Sequence, residues 1–379
     1  MSKLFEKSSI NKMVLKNRFV RSATWEGLAT IEGEATPKLI EMMASLAKGG
    51  VGLIISSHSY VSQEGQGTPW QLGIYDDKLI PGLQEMVSAV HENNGKIIMQ
   101  LAHAGLHAQV GLTGQPALAV SEIEGFQKEN IKILTPEKIH RLVLSYAQAA
   151  RRAKEAGFDG LEIHSAHGYL LSQFLSPAYN TRNDEYGGSI ENRVKIHLQI
   201  YDAIREVVGA DYPILIKMNC ADFIDNGLTI DDSLKAARIF SDAGFDAIEI
   251  SGGIIRSKKL SPSRSGITTQ EKEAYFKGYA ENFKRNIKVP LVLVGGLRSF
   301  EVAEKILAEG TADYISMSRP LIREPNLINR WKEGDLRKAE CKSDNLCFNP
   351  GFEGKGIYCV TKEMEENKIS AQTITSRFN

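Results

Sequence analysis

A chain of 379 residues that is 42% hydrophobic can bury a large core, and barrels of this size routinely form one domain. Lysine plus arginine and aspartate plus glutamate number 46 each, so the formal charge is zero and neither nucleic acid nor an anionic membrane is an expected partner. The opening "MSKLFEKSSINKMVLKNRF" is charged throughout and lacks an apolar h-region, so no secretory leader is expected, and apolar runs such as "VGLII" are far too short to span a bilayer.

Short β-branched runs recur along the chain. The first three are "RFVRSA" (18–23), "GLIISSHS" (52–59) and "KIIMQLAH" (96–103). A long polar, glycine-rich stretch at 104–134 follows the third run. Next, "TPEKIHRLVLSYAQAARRAKEAGFDG" predicts a helix: Thr135 caps it, Pro136 suits its first turn and Gly157 ends it. Ile139, Leu142, Val143, Tyr146, Ala150 and Ala153 make its apolar stripe. The remaining runs are "GLEIHSAH" (160–167), "PILIKMNC" (213–220), "AIEISGG" (247–253), "LVLVGG" (291–296) and "YISMSRP" (314–320), with a second long insertion at 254–272. Apolar strands with helical crossovers imply a parallel sheet covered by helices, and eight such units predict an α/β fold, a single closed (β/α)8 TIM barrel. Residues 1–335 then form the barrel and 336–379 a C-terminal extension, whose polar end from Glu363 is expected to fray or to contact a neighbouring subunit in a homo-oligomer.

Every strand ends in small, polar or functional residues: Gln100 and His103, His164 and His167, Lys217 and Asn219, then "SGG", "VGG" and "SMSRP". In a barrel these ends and the two long insertions share the face where active sites sit. Paired glycines and an arginine after the last strands suit a phosphate. A phosphate there, a lysine on strand five and an amide on strand three together suit FMN, whose pyrimidine edge needs an amide and a cation. His164 and His167 can face one cavity and offer two N–H donors to an oxygen gaining negative charge. Tyr169 carries a weakly acidic proton suited to a strong carbon base. A metal pair and two plain loop histidines are the alternatives; His-x-x-His lacks the i,i+4 geometry of a helical zinc pair.

The segment "EIHSAHGYLLSQFLSPAYNTRNDEYGGSIENR" (162–193) resembles the signature of the old yellow enzyme family of FMN-dependent ene-reductases. "LKNRFVRSAT", "QLAHAG", the glycines after strand seven and "SRPLIREP" are similar to its other landmarks, in order, over residues 3–335. The resemblance implies an NAD(P)H:flavin oxidoreductase that uses NADH or NADPH to reduce the activated C=C bond of a small α,β-unsaturated carbonyl-type substrate by a ping-pong mechanism. It implies Ala23 and Thr24 against the flavin ring, Gln100 at the pyrimidine edge, and Lys217 where many relatives carry arginine. Gly253, Gly295, Gly296, Ser318 and Arg319 would surround the phosphate, His164 and His167 hold the substrate's oxygen, and Tyr169 donate the proton. Trp25 and His58 depart from the family pattern and are expected in the substrate pocket, or in local packing. Arg182, Asp184, Glu185, Asn192, Arg193 and Asp222 are expected to tie loops.

Larger relatives resembling enoate and dienoyl-CoA reductases carry a four-cysteine iron–sulfur motif after the barrel. Here Cys341, Asp344, Cys347 and Cys359 occupy that stretch, with the aspartate where a second cysteine is expected. Three thiolates and a carboxylate would make a weak cluster site, and a remnant without a cluster is the expectation. With Cys220 alone, this is no secreted disulfide framework, so the cytoplasm is the expected location. The alternatives are an FMN-dependent dehydrogenase or reductase of a steroid, tetrapyrrole or acyl substrate, and a flavin-binding redox sensor without turnover.

Overall fold

Each predicted apolar run is a strand: β1 (Phe19–Arg21), β2 (Leu53–Tyr60), β3 (Ile97–Ala102), β4 (Leu161–Ser165), β5 (Ile214–Asn219), β6 (Ala247–Ser251), β7 (Leu291–Leu293) and β8 (Tyr314–Met317). In the computed structural model, which describes residues 2–123 and 130–375, they form a closed barrel. Each pairs in parallel with the next, and β8 returns to β1 with Ile315 opposite Phe19. The crossovers supply α1 (Pro37–Lys48), α2 (Ile80–His91), α3 (Pro136–Glu155), α4 (Lys195–Val208), α5 (Ile230–Ala243), α6 (Lys277–Asn286) and α7 (Phe300–Ala308). Helix α3 starts as its sequence predicts, with the Thr135 hydroxyl accepting from the Lys138 N–H at 3.3 Å. Its whole predicted stripe is buried, and each large aliphatic there contributes about 1.5–3 kcal/mol.

Side chains alternate along a strand, so inward positions climb the barrel axis two residues at a time. The floor is apolar: Val20, Ile98, Leu215, Ala247 and Tyr314 share one core cluster. An N-terminal hairpin, Ser8–Ile10 with Met13–Leu15, seals that floor with Ile10, Met13 and Leu15. Asn11 turns it at φ 50°, and its side-chain amide donates to Asp246 Oδ1 at 2.9 Å. One step above the floor the residues are Ser22, Gln100, Lys217, Glu249 and Ser316, all of them buried. Polarity therefore rises toward the carboxyl end of the strands.

The extension packs as an apron on the barrel. The Ala339 N–H donates to Arg298 O at 2.7 Å, the Ile357 N–H to Glu26 O at 2.8 Å, and the Phe352 ring lies 4.8 Å from that of Trp25. Its polar end is helical over Val360–Thr375 where fraying was expected; Glu365 pairs with the buried Arg323 at 2.5 Å and Lys362 lies 3.9 Å from Glu366. Of the insertion after β3, residues 124–129 lie outside the described residues; the rest includes two short strands, Ala117–Ala119 and Ile131–Ile133. Among the described residues no helix is long and apolar enough to cross a membrane.

Candidate active site

The strand ends and the loops above them enclose a cavity of about 310 Å³ at the carboxyl mouth. Ala23, Thr24, Trp25, His58, Gln100, His164, His167, Tyr169, Lys217, Gly296, Ser318 and Arg319 all line it. Twelve of the site residues read from the sequence thus meet in one place. Gly253 and Gly295 are not on its wall: a side chain on Gly253 would strike the Leu260 carbonyl at 2.1 Å, and one on Gly295 the Phe276 ring at 2.9 Å. Both glycines turn the chain, at φ 82° and 135°.

His164 comes from β4 and His167 from the turn after it. His167 sits at φ 63° and Gly168 at φ 85°, so the chain doubles back and the two rings face each other edge to face at 5.2 Å. A left-handed histidine costs free energy that its surroundings must offset. Here the His167 N–H donates to Asn219 Oδ1 at 3.2 Å, and the Asn219 amide in turn donates to Asp222 Oδ1 at 2.9 Å. His167 Nε2 is 2.8 Å from the Ser251 hydroxyl, which lines the same cavity and fixes the ring's orientation.

Tyr169 begins the short helix Leu170–Leu175, and its ring is held by imidazoles. His164 meets it edge to face at 5.1 Å, and His58 stacks on it at 5.3 Å and 21°. Alternation from Leu53 and Ile55 would turn His58 outward, but a register shift between Ile55 and His58 turns it in, opposite Gln100. Burial lowers the His58 pKa to about 4, and burial followed by neighbouring cations and imidazoles takes His164 and His167 well below the usual range. All three rings are therefore neutral donors near pH 7. Burial also pushes the Tyr169 phenol up to about 12, so it keeps its proton.

On the barrel side of the cavity, the Lys217 ammonium donates to Ser22 Oγ at 2.7 Å and lies 2.9 Å from Glu249 Oε2. The Gln100 amide donates to Glu162 Oε2 at 2.6 Å. Elsewhere on the wall Thr24 Oγ1 and Ser318 Oγ are 2.6 Å apart, and the Arg319 guanidinium donates to Asn345 Oδ1 at 2.6 Å. An amide with an ammonium, then hydroxyls with a guanidinium, are the donors that a flavin's heteroatom edge and phosphate require.

A family model described as NADH:flavin oxidoreductase / NADH oxidase matches residues 3–372. The chain belongs to that family. As a member of the NADH:flavin oxidoreductase / NADH oxidase family it is an enzyme, and it resembles the old yellow enzymes as its sequence implied. It is 36% identical to an NADPH dehydrogenase of Bacillus subtilis over 85% of this chain and 92% of that one. It is 38% identical to an NADH oxidase of Thermoanaerobacter brockii over 90% of this chain, and spans 53% of that relative's length. Among solved structures, an old yellow enzyme homologue from Zymomonas mobilis superposes with a TM-score of 0.76 at 27% identity, covering 92% of this chain and 98% of that one. A 2-naphthoyl-CoA reductase superposes with a TM-score of 0.84 at 28% identity, covering 92% of this chain and 55% of that one.

The Trp25 ring lines the cavity and packs on Phe352, and its indole N–H donates to Pro69 O at 3.2 Å. The signature loop is structural: Arg182 pairs with Asp184 and Arg193 with Asp232, each at 2.5 Å, Lys195 pairs with Glu185, and the Asn192 amide donates to Gly187 O at 2.9 Å. Ser251, Ser343 and Phe348 line the cavity without having been singled out from the sequence; the last two belong to the extension. Cys341 and Cys347 are buried thiols whose pKa values burial raises, that of Cys347 to about 12. Among the described residues, no three His, Cys, Asp or Glu side chains are grouped to hold a metal ion.

Proposed function

We propose that the cavity seats FMN and that the enzyme uses NADH or NADPH to reduce the activated C=C bond of a small α,β-unsaturated carbonyl compound. The observation that carries this reading is the convergence of two neutral imidazoles and a protonated phenol on the cavity walled by Lys217 and Gln100. The chemistry supplied by bound FMN is hydride transfer, from the nicotinamide and then to the alkene. Gln100 and Lys217 would hold its pyrimidine edge, Ala23 and Thr24 the ring, and Gly296, Ser318 and Arg319 the phosphate.

His164 and His167 bind the substrate carbonyl oxygen through N–H donors and stabilise the negative charge that grows there. A donor of this kind contributes about 10²–10³ in rate. Because burial keeps both rings neutral, they orient the substrate without adding charge to the cavity. Tyr169 holds its proton and releases it from the phenol oxygen to the carbon beside the carbonyl. His58 braces the phenol ring and, with Trp25, shapes the substrate's side of the cavity.

Air-free assay of the FMN-loaded enzyme tests this. With cyclohex-2-enone, NADH or NADPH consumption should match cyclohexanone formation one for one. Oxidation of the nicotinamide without a saturated product would refute the ene-reductase reading.

A further inference from the structure

Glu162 and Glu249 sit inside the barrel with no side-chain exposure, one on β4 and one on β6. Their partners account for all but two of their oxygens. Glu162 Oε2 accepts from the Gln100 amide at 2.6 Å. Glu249 Oε1 accepts from the Ser22 hydroxyl at 2.8 Å and from the Ser316 hydroxyl at 2.7 Å. Lys217 Nζ lies 2.9 Å from Glu249 Oε2 but not along a hydrogen-bonding direction, so the contact is ionic and leaves that oxygen without a donor. The two unmatched oxygens, Glu162 Oε1 and Glu249 Oε2, are both buried, on carboxyl groups within hydrogen-bonding reach of each other.

Two buried carboxylates facing one ammonium leave a surplus negative charge, and like charges at contact do not both ionise in a dry interior. One proton on Glu162 Oε1 resolves the charge and both orphan oxygens together. We propose that Glu162 is a neutral carboxylic acid that donates from Oε1 to Glu249 Oε2, and is thereby a positioning residue for the Gln100 amide.

The donation then runs one way through the layer. The Gln100 NH2 donates to Glu162, Glu162 donates to Glu249, Lys217 donates to Ser22, and Ser22 donates to Glu249. The charged side chains facing Glu162 are Glu249, which opposes a charge on it, and Lys217, which favours one to a smaller extent. Burial and the Glu249 charge both raise the Glu162 pKa well above the ordinary range, in keeping with this arrangement. With one N–H of its amide engaged by Glu162, Gln100 keeps its carbonyl oxygen and a second N–H for the cavity, so it could accept from a ring-edge N–H and donate to the oxygen beside it. That last step rests on the proposed FMN seat; the protonation of Glu162 does not.

Infrared spectroscopy of the cofactor-free protein separates the two. From about pH 6 to pH 8 the wild type should show a carboxylic acid C=O stretch that shifts in deuterium oxide, and Glu162→Gln should lose it. Glutamine can accept from Gln100 and donate to Glu249 as the acid does, so Glu162→Gln should keep FMN affinity within about threefold, whereas Glu162→Ala should weaken it by about tenfold or more. Absence of the stretch from the wild type, or its survival in Glu162→Gln, overturns the protonation. A tenfold loss of FMN affinity in Glu162→Gln overturns the positioning role. If neither form binds FMN, the proposed seat fails while the infrared result still decides Glu162.

Discussion

Tyr169→Phe removes one oxygen from the cavity and leaves the ring where His58 and His164 hold it, at 5.3 and 5.1 Å. The phenol is poised as an acid at every working pH. With its pKa pushed to about 12, about one molecule in 10⁵ is ionised at pH 7. A positioned general acid contributes about 10²–10⁴ in rate, equivalent to about 3–5 kcal/mol of barrier. The substitution should therefore slow the alkene half-reaction by at least about 100-fold. It should leave flavin reduction by NADH within about threefold, because that step needs no proton at carbon. Stopped-flow absorbance resolves the two half-reactions. Equal slowing of both, or an alkene step slowed less than about threefold, would refute the proton-donor assignment.

Three further outcomes follow from the same geometry. Ser251→Ala frees the Nε2 of His167, which now lies 2.8 Å from the hydroxyl; a ligand bound through the imidazole pair should weaken by about tenfold, measured by titrating the FMN-loaded enzyme with a phenol. The folded state holds His58 neutral to about pH 4, whereas the unfolded chain takes up that proton near pH 6.5. Stability should thus fall as pH drops from about 6.5 toward 4, by up to about 3 kcal/mol from this ring alone, and denaturant midpoints across that range check the sign. Asp232→Ala strips the buried Arg193 guanidinium of its carboxylate at 2.5 Å; a loss of about 3 kcal/mol in unfolding free energy is expected, with the flavin spectrum of surviving folded enzyme unchanged.

The barrel was legible because its strands are short apolar runs spaced by amphipathic helices, and the same residues that make α3 periodic also bury it. Gln100, Lys217 and His164 were legible as polar residues near strand ends, where an apolar core gives way to a mouth, and Tyr169 as the phenol two residues beyond His167. The carboxylates were a signal left unread: Glu162 and Glu249 stand within apolar strands at positions of inward parity, which a barrel permits only for partnered groups. His58 was harder, since a register shift in β2 decides which way it points and nothing in "LIISSHSY" marks that shift. Ser251 was noted only as part of "SGG"; its tie to His167 links β6 to the turn after β4, a contact between residues 84 positions apart. The hairpin on the barrel floor and the apron of the extension likewise depend on long-range packing.

A crystal structure of the FMN-loaded enzyme soaked with a phenol tests the central claim most directly. The isoalloxazine should lie at the carboxyl mouth with its pyrimidine edge at Gln100 and Lys217, and the phenol oxygen should be shared by His164 and His167 with Tyr169 alongside. Flavin bound elsewhere, or imidazoles turned away from the phenol oxygen, would contradict the account.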